Sequence, residues 1–403
     1  MDREDVGPSA AGWPHATPGQ QTRRMTVLGV DLSLDALRVQ ARDETSGDVL
    51  HDGCVPLPAD AGHDAWWAAW STALAEVGAA LDRREAGPIG AVAATGDGGR
   101  LLALDEAGTP VHRALAAGDD ATAPDAGWLR SQLAGGDAAW AQAIGSLPLP
   151  SHTLAKLSWL HRSDADGWAA MRHVCVPHDW LTWRLTGAWV TDRGTASSTG
   201  YWSPSSGAYR WDLLDVVDGS RDWTAAVPRV CDPVEPAGRS RIDGAADGGA
   251  LVGPGTGRPM AAALAFDLLA GDVAVDLERR AALAVCDGPV ADPSGVVTCA
   301  ADATGRFLLS TPLPGSAVGD LSAAVDALRS HLHDVGPGRI VLHGATGAGL
   351  AAQLGDALGS EVSRVAIEHP GVTGACIQAA AVLARQDPSA VRAAWSPVLD
   401  LPT

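Results

Sequence analysis

Gly253-Pro-Gly-Thr-Gly-Arg-Pro-Met-Ala-Ala-Ala-Leu-Ala-Phe-Asp267 is a glycine-rich turn that runs straight into an alanine-rich helix. A junction of this kind offers free backbone N–H groups, and usually a small acid or hydroxyl, to a ligand. The first side chain on offer here is Arg258, followed by Pro259. Arginine stays protonated at every accessible pH and cannot take a proton. Proline suits the first turn of a helix. The helix should therefore form, while the chemistry at its head is altered.

Outward from this junction the chain reads as two units in which strands precede helices, so the expected class is α/β in two lobes. In the first unit, Thr26–Leu57 has the pattern of a strand, a turn, an alternating strand, a Ser-Gly turn and a third strand. Asp64–Arg84 follows as a helix, whose Trp66, Trp67 and Trp70 read as core packing or as a stacking platform. Ile89–Gly96 is a short apolar strand that enters a glycine-rich turn, and Arg100–Leu115 reads as a hairpin around Glu106–Gly108. The polar, Gly- and Asp-rich stretch Glu235–Gly249 reads as a connection between units, with the second unit starting near residue 248. In that unit, Val325–Leu358 reads as helix, turn, strand, glycine-rich loop and helix, and Gly374–Arg385 as a final helix.

The 403 residues suffice for two substantial cores. A formal net charge of −19 argues against nucleic acid or anionic membrane as a partner, because phosphate contacts need clustered Lys and Arg. Lys156 is the only lysine, so a GKS/GKT-type P-loop is excluded. The six cysteines form no C-x-x-C pair and read as isolated buried thiols in a reducing cytosol. Residues 1–24 lack an apolar h-region and are expected to be disordered, with Met25 an alternative start. No run approaches the length of a membrane span.

Several segments resemble the FGGY carbohydrate kinases, and xylulokinases in particular. Ser151-His-Thr-Leu-Ala-Lys-Leu-Ser-Trp-Leu160 fits a first-domain signature, and Val174–Trp202 resembles the segment after it. Ala291–Leu309 resembles a hairpin of the second domain, and Val372–Ala384 its last helix. The resemblance implies a two-lobed actin-like, ribonuclease-H-like ATPase fold, with a first domain over residues 25–247 and a second over 248–403. The second lobe should be shortened, because only a few residues join Thr311–Asp320 to Val325–Leu332 where the family carries a long segment. Such lobes close on a sugar and Mg·ATP, and an aspartate takes the proton of the attacking hydroxyl.

That implied machinery is incomplete in this sequence. The first phosphate hairpin keeps Asp31, as a metal organiser or merely a turn cap, but Ser33 and Leu34 replace its glycine and threonine. At the sugar loop, Asp97, Gly98 and Gly99 stand where the family has Gln and His, and Asp119 survives from a Trp-Asn-Asp-x-Arg motif. The base position holds Arg258. The second phosphate loop reads Asp276-Leu-Glu-Arg-Arg280 in place of small residues. On the nucleotide side, Gly344, Gly347 and Gly349 keep a permissive backbone.

Four functional readings follow. One is a protein of this family that has lost phosphotransfer and serves in binding, in regulation or as a relic. A second is an active sugar kinase with a rewired site built on Asp31, Asp97 or Asp119. A third is a sugar-phosphate binder using Arg258, Arg279 and Arg280, residues that equally suit pairing with surface acids. A fourth is a scaffold whose cleft binds nothing and whose surface binds an intact kinase, with self-association or a hetero-oligomer implied by the pairing common in the family.

Overall fold

The computed structural model describes residues 24–399, apart from 34, 59–60, 116–119, 333–335, 337 and 345–347. The expected N-terminal extension, except for its last residue, and the candidates Asp119 and Gly347 lie outside the described residues.

The first lobe is built on a seven-stranded sheet. Strands β1 (Thr26–Leu32), β2 (Ala36–Asp43) and β3 (Val49–Pro56) pair antiparallel in sequence. Helix α1 (His63–Arg83) then returns the chain to β4 (Ile89–Gly96), which lies parallel to β1. β4 is buried at every position and β1 at all but Asp31, as expected for central strands covered on both faces. α1 lays Trp66, Trp70, Ala73 and Val77 on one face of the sheet, so the tryptophans Trp66 and Trp70 are core. Trp67 is partly buried, with the Arg184 guanidinium 4.5 Å above its ring.

The opposite face of the sheet receives the helix Pro370–Ala384 from the far end of the chain. A Cβ on Gly29 would collide with the Val372 carbonyl, and a Cβ on Gly374 with the Ala261 carbonyl of the helix Arg258–Ala265. These two glycines let backbones meet where any side chain would hold them apart. Gln378 donates to the Gly255 carbonyl at 2.7 Å, which ties the same helix to the opening turn.

The second lobe carries a six-stranded sheet in the order Thr298–Ala301, Phe307–Pro312, Ala281–Cys286, Val273–Asp276, Ile340–His343, Val362–Val365. Val273–Asp276 plays the part of β1: its neighbour Ala281–Cys286 is antiparallel and its other neighbour Ile340–His343 is parallel. Both lobes thus repeat one plan, a meander with parallel strands added beside its first member. The helix Val318–Arg329 makes the short connection from Phe307–Pro312 to Ile340–His343. One apolar cluster joins β1 and β4 residues to Ala274, Leu283 and Val341 through the helices Arg258–Ala265 and Pro370–Ala384.

The stretch Glu235–Gly249 departs from expectation. Gly238–Ser240 pairs antiparallel with Ala250–Val252, which pairs parallel with β4. Thr256–Gly257 also pairs with β4. The stretch is therefore an edge hairpin of the first sheet, and its polarity reflects an exposed turn. The first sheet continues to Gly257, past the expected boundary at residues 247 and 248. The Arg100–Leu115 hairpin forms, held by a Leu101–Leu115 bridge and a turn in which Gly108 N–H donates to the Asp105 carbonyl at 3.0 Å.

Candidate functional site

Between the lobes lies a cavity of about 390 Å³. The first lobe gives it Gly96–Gly99, His152, Ser197 and Ser198, and the second lobe gives Arg258, Arg279, Thr298 and Ser310. Asp97 and Arg258 thus line one cavity. Asp97 Oδ1 accepts the Gly99 N–H at 3.0 Å, which folds the Gly98–Gly99 turn back on its own carboxylate. The buried ammonium of Lys156 fastens that turn, donating to the carbonyls of Gly99 and Ser151.

Asp31 sits at the end of β1, where the chain turns through Ser33, whose hydroxyl donates to the Ala36 carbonyl at 2.6 Å. The Asp31 carboxylate faces the helix Arg258–Ala265, and Oδ1 accepts from Arg258 Nε at 2.7 Å. The pair spans 227 positions of sequence. Both side chains are about one-fifth exposed, at 23% for Arg258 and 19% for Asp31. Arg258 Nη2 is enclosed without a hydrogen-bond partner among the described residues.

A second acid–arginine pair mirrors the first. Asp276 ends the strand equivalent to β1, is fully buried, and accepts the N–H groups of Glu278 and Arg279 at 3.1 Å each. His343 Nδ1 lies 3.0 Å from Asp276 Oδ1, and His343 Nε2 lies 2.9 Å from the Ile367 carbonyl. Arg279 Nε forms an ion pair with Asp276 Oδ2 at 3.3 Å, short of hydrogen-bond geometry. A Cβ placed on Gly371 would lie 2.7 Å from Asp31 Oδ2 and 3.3 Å from Arg279 Nη2, so both groups press on one point. Arg280 is exposed and does not line the cavity.

Below the opening turn, His178 is fully buried, with Nε2 3.1 Å from Thr195 Oγ1, 3.4 Å from Asp192 Oδ2 and 3.5 Å from Asp179 Oδ1. Burial opposes charge on His178, but Asp179 and Asp192 outweigh it and raise the pKa. Burial likewise pushes the Asp179 carboxyl up to about 7. This cluster supports the backbone of Gly96 and Gly255 from beneath. His152 lines the cavity as a neutral imidazole, because burial and then Lys156 lower its pKa to about 4.

Gly344 has φ +78° and packs against Leu277 and Glu278, beside the second hairpin. Gly349 lies on the helix Ala348–Leu358. Neither lines the 390 Å³ cavity. Residues that sequence reasoning missed include His152 and the His178–Asp179–Asp192 cluster. His152 stands directly before the Thr153–Ser163 helix and four positions from the sole lysine, a signal that was there to use.

The repeated lobe plan with a cleft between its two hairpins defines a two-lobed kinase-type fold. Residues 29–257 match the family described as "FGGY family of carbohydrate kinases, N-terminal domain". The chain is 38% identical over 292 residues to the xylulose kinase of Streptomyces coelicolor, and 36% identical over 291 residues to that of Streptomyces rubiginosus. Each match covers 70% of this chain and 59% of the relative, so the chain spans about three-fifths of their length. Among solved structures, the xylulose kinase from Bifidobacterium adolescentis superposes with a TM-score of 0.81 at 23% identity, covering 93% of this chain and 99% of that one. Plasmodium falciparum glycerol kinase with ADP gives 0.78 at 11% identity, covering 92% of each. The chain belongs to the FGGY family of carbohydrate kinases and is xylulokinase-like within it. No helix among the described residues is long and apolar enough to cross a membrane.

Proposed function

We propose that this chain is a xylulokinase-like protein that binds a small sugar between its lobes and has lost phosphotransfer. The observation that carries the reading is the 2.7 Å bond from Arg258 Nε to Asp31 Oδ1. By resemblance, Arg258 occupies the position of the general base and Asp31 that of the metal-organising acid. A permanently protonated guanidinium cannot take the proton of a sugar hydroxyl. Loss of a general base costs about 10²- to 10⁴-fold in rate.

Mg·ATP is the cofactor that family membership implies, and when bound it supplies the transferable phosphoryl group. Asp31, Gly344, Gly347 and Gly349 are the residues proposed for it, but the surroundings of Asp31 do not suit a metal. One Asp31 oxygen is already given to Arg258, and Arg279 stands beside the other. A divalent cation on that carboxylate would face two guanidinium groups, so no step is derived through it. Sugar contacts fall to Asp97 and Arg258 on the cavity wall and to Asp119. The shortened second lobe, starting near residue 248 or past Gly257, would leave the cleft open for such a ligand. A cytoplasmic location, and pairing with itself or with an intact kinase, belong to the same reading; light scattering coupled to size exclusion measures the latter.

The test is a coupled ATPase assay with a panel of pentuloses and polyols, alongside calorimetric titration with Mg·ATP and each sugar. Sugar binding without turnover is expected. Robust turnover abolished by Asp97→Asn or Asp119→Asn would establish the rewired-kinase alternative and overturn the proposal.

A further inference from the structure

A second cavity, of about 570 Å³, lies within the first lobe and adjoins the interlobe cleft along the chain: Gly96–Gly99 line the cleft, and Arg100 lines this cavity. Trp66 of α1, Leu102, Pro110 and His112 form other parts of its wall.

Arg100 is only 9% exposed, yet its guanidinium makes no hydrogen bond and no ion pair among the described residues. Its Nε is enclosed and unpartnered. The group stands 5.9 Å from the Trp66 ring centroid, a weak cation–π contact that leaves its N–H donors unused. Burial disfavours its charge, Asp97 attracts it from a distance, and Arg258 repels it. Two more enclosed polar atoms of lining residues lack partners among the described residues: the indole Nε1 of Trp66 and the Nε2 of His112. His112 Nδ1 is engaged by Asp164 Oδ2 at 2.9 Å.

Buried guanidinium groups are nearly always paired, because stripping water from a charge without compensation is costly. Here the missing partner is an acceptor. Among the described residues no carboxylate lines this cavity, and its other guanidinium, Arg113, has a partner of its own. A planar fork of donors beside an indole N–H suits the oxygens of a carboxylate or phosphate. The apolar walls of Leu102 and Pro110 and a volume well above that of a bare ion suit a ligand with an organic body.

We propose that this cavity is a binding site for a small organic oxyanion, gripped by Arg100 and the Trp66 indole N–H, and separate from the sugar cleft. It is independent of whether the cleft catalyses anything.

The test is calorimetric titration of the full chain with phenyl phosphate and with benzoate, which separate phosphate from carboxylate heads. Wild type is compared with Arg100→Leu, Trp66→Phe and Arg258→Gln. One-site saturation by at least one probe is expected, weakened about tenfold or more by R100L and severalfold by W66F, and unchanged within about twofold in R258Q. R100L should also melt at a higher temperature than wild type in the absence of ligand, since it removes an uncompensated buried charge. Absence of saturation by both probes at about 10 mM, well beyond the ~1 mM scale of weak specific binding, overturns the proposal. So does loss of binding in R258Q but not in R100L, which moves the anion to the cleft. A lower melting temperature for R100L marks the guanidinium as structural and overturns it as well.

Discussion

Cutting the Arg258–Asp31 bond tests the reading of the cleft most directly. The two side chains are 23% and 19% exposed and meet at 2.7 Å, so the pair is neither a surface bridge nor a fully buried one. Exposed pairs couple by about 0.2–1 kcal/mol, and breaking buried pairs costs about 3–5 kcal/mol. Hydrogen bonds to charged groups contribute about 1.5–3 kcal/mol. A coupling of about 2 kcal/mol is therefore expected from a double-mutant cycle of Arg258→Gln and Asp31→Asn, read from urea unfolding midpoints at constant m. The single variants should differ. In R258Q, Asp31 still has Arg279 next to it across Gly371. In D31N, two guanidinium groups lose the carboxylate between them. Asp31→Asn should thus cost about 1 kcal/mol more than Arg258→Gln, with part of the penalty relieved by salt. Mg·ATP titration of the same proteins gives a functional readout. Two unit charges 4 Å apart interact by about 4 kcal/mol at an effective dielectric constant of 20. Removing a cation at that range should raise metal–nucleotide affinity at least tenfold, about 1.4 kcal/mol. A coupling below about 0.5 kcal/mol, within the range of ordinary surface pairs, would refute the reasoning. So would a larger loss in R258Q than in D31N.

Three further outcomes follow from the packing and the protonation states. His152 has a pKa lowered to about 4 in the fold against 6.5 in the open chain, so the unfolded state binds more protons between those values. Stability should fall as pH drops from 6.5 toward 4, by about 3 kcal/mol in all, and His152→Asn should flatten that slope in unfolding titrations from pH 6.5 to 5. Asp276→Ala should lower stability by about 3–5 kcal/mol, measured by urea unfolding, because two backbone N–H groups, His343 and Arg279 all lose one buried carboxylate. Gly29→Val should abolish soluble expression or lower the melting temperature by more than about 5 °C, since its side chain would strike the Val372 carbonyl; a scanning fluorimetry trace like wild type would contradict that.

The fold was legible because its signals are local. Apolar runs ending in glycine turns, such as Ile89–Gly96, and helical periodicity, as in α1, follow from the chain's own spacing. Glu235–Gly249 misled because edge hairpins and connections between units share one composition: both are solvated, so both are polar and rich in glycine. The arginine at the head of the helix Arg258–Ala265 could be read from its position, but its partner could not, with 227 residues between the two. Arg100 carried no signal at all. A lone arginine after two glycines looks like solvated surface, and only the cavity wall formed with Trp66 and His112 shows that it is enclosed.

Charge pairing decides between the two cavities as sites for an anion. In the interlobe cleft each lining guanidinium already has a carboxylate: Arg258 has Asp31, and Arg279 has Asp276. These acids stand at equivalent ends of the first strand in each sheet, so the duplicated plan of the fold yields two neutralised pairs, which meet at Gly371. An anion entering there must compete with two fixed carboxylates and also meets Asp97 in the same cavity. Arg100 offers the opposite case, a nearly buried cation with unused donors and no lining acid among the described residues. The free energy of pairing an anion is largest where the protein has left a charge uncompensated and water already excluded. A neutral polyol suits the first cavity, whose serines, Asp97 and Arg258 offer both donors and acceptors. The side cavity offers chiefly donors, and so an oxyanion should prefer it although each cavity is lined by two arginines.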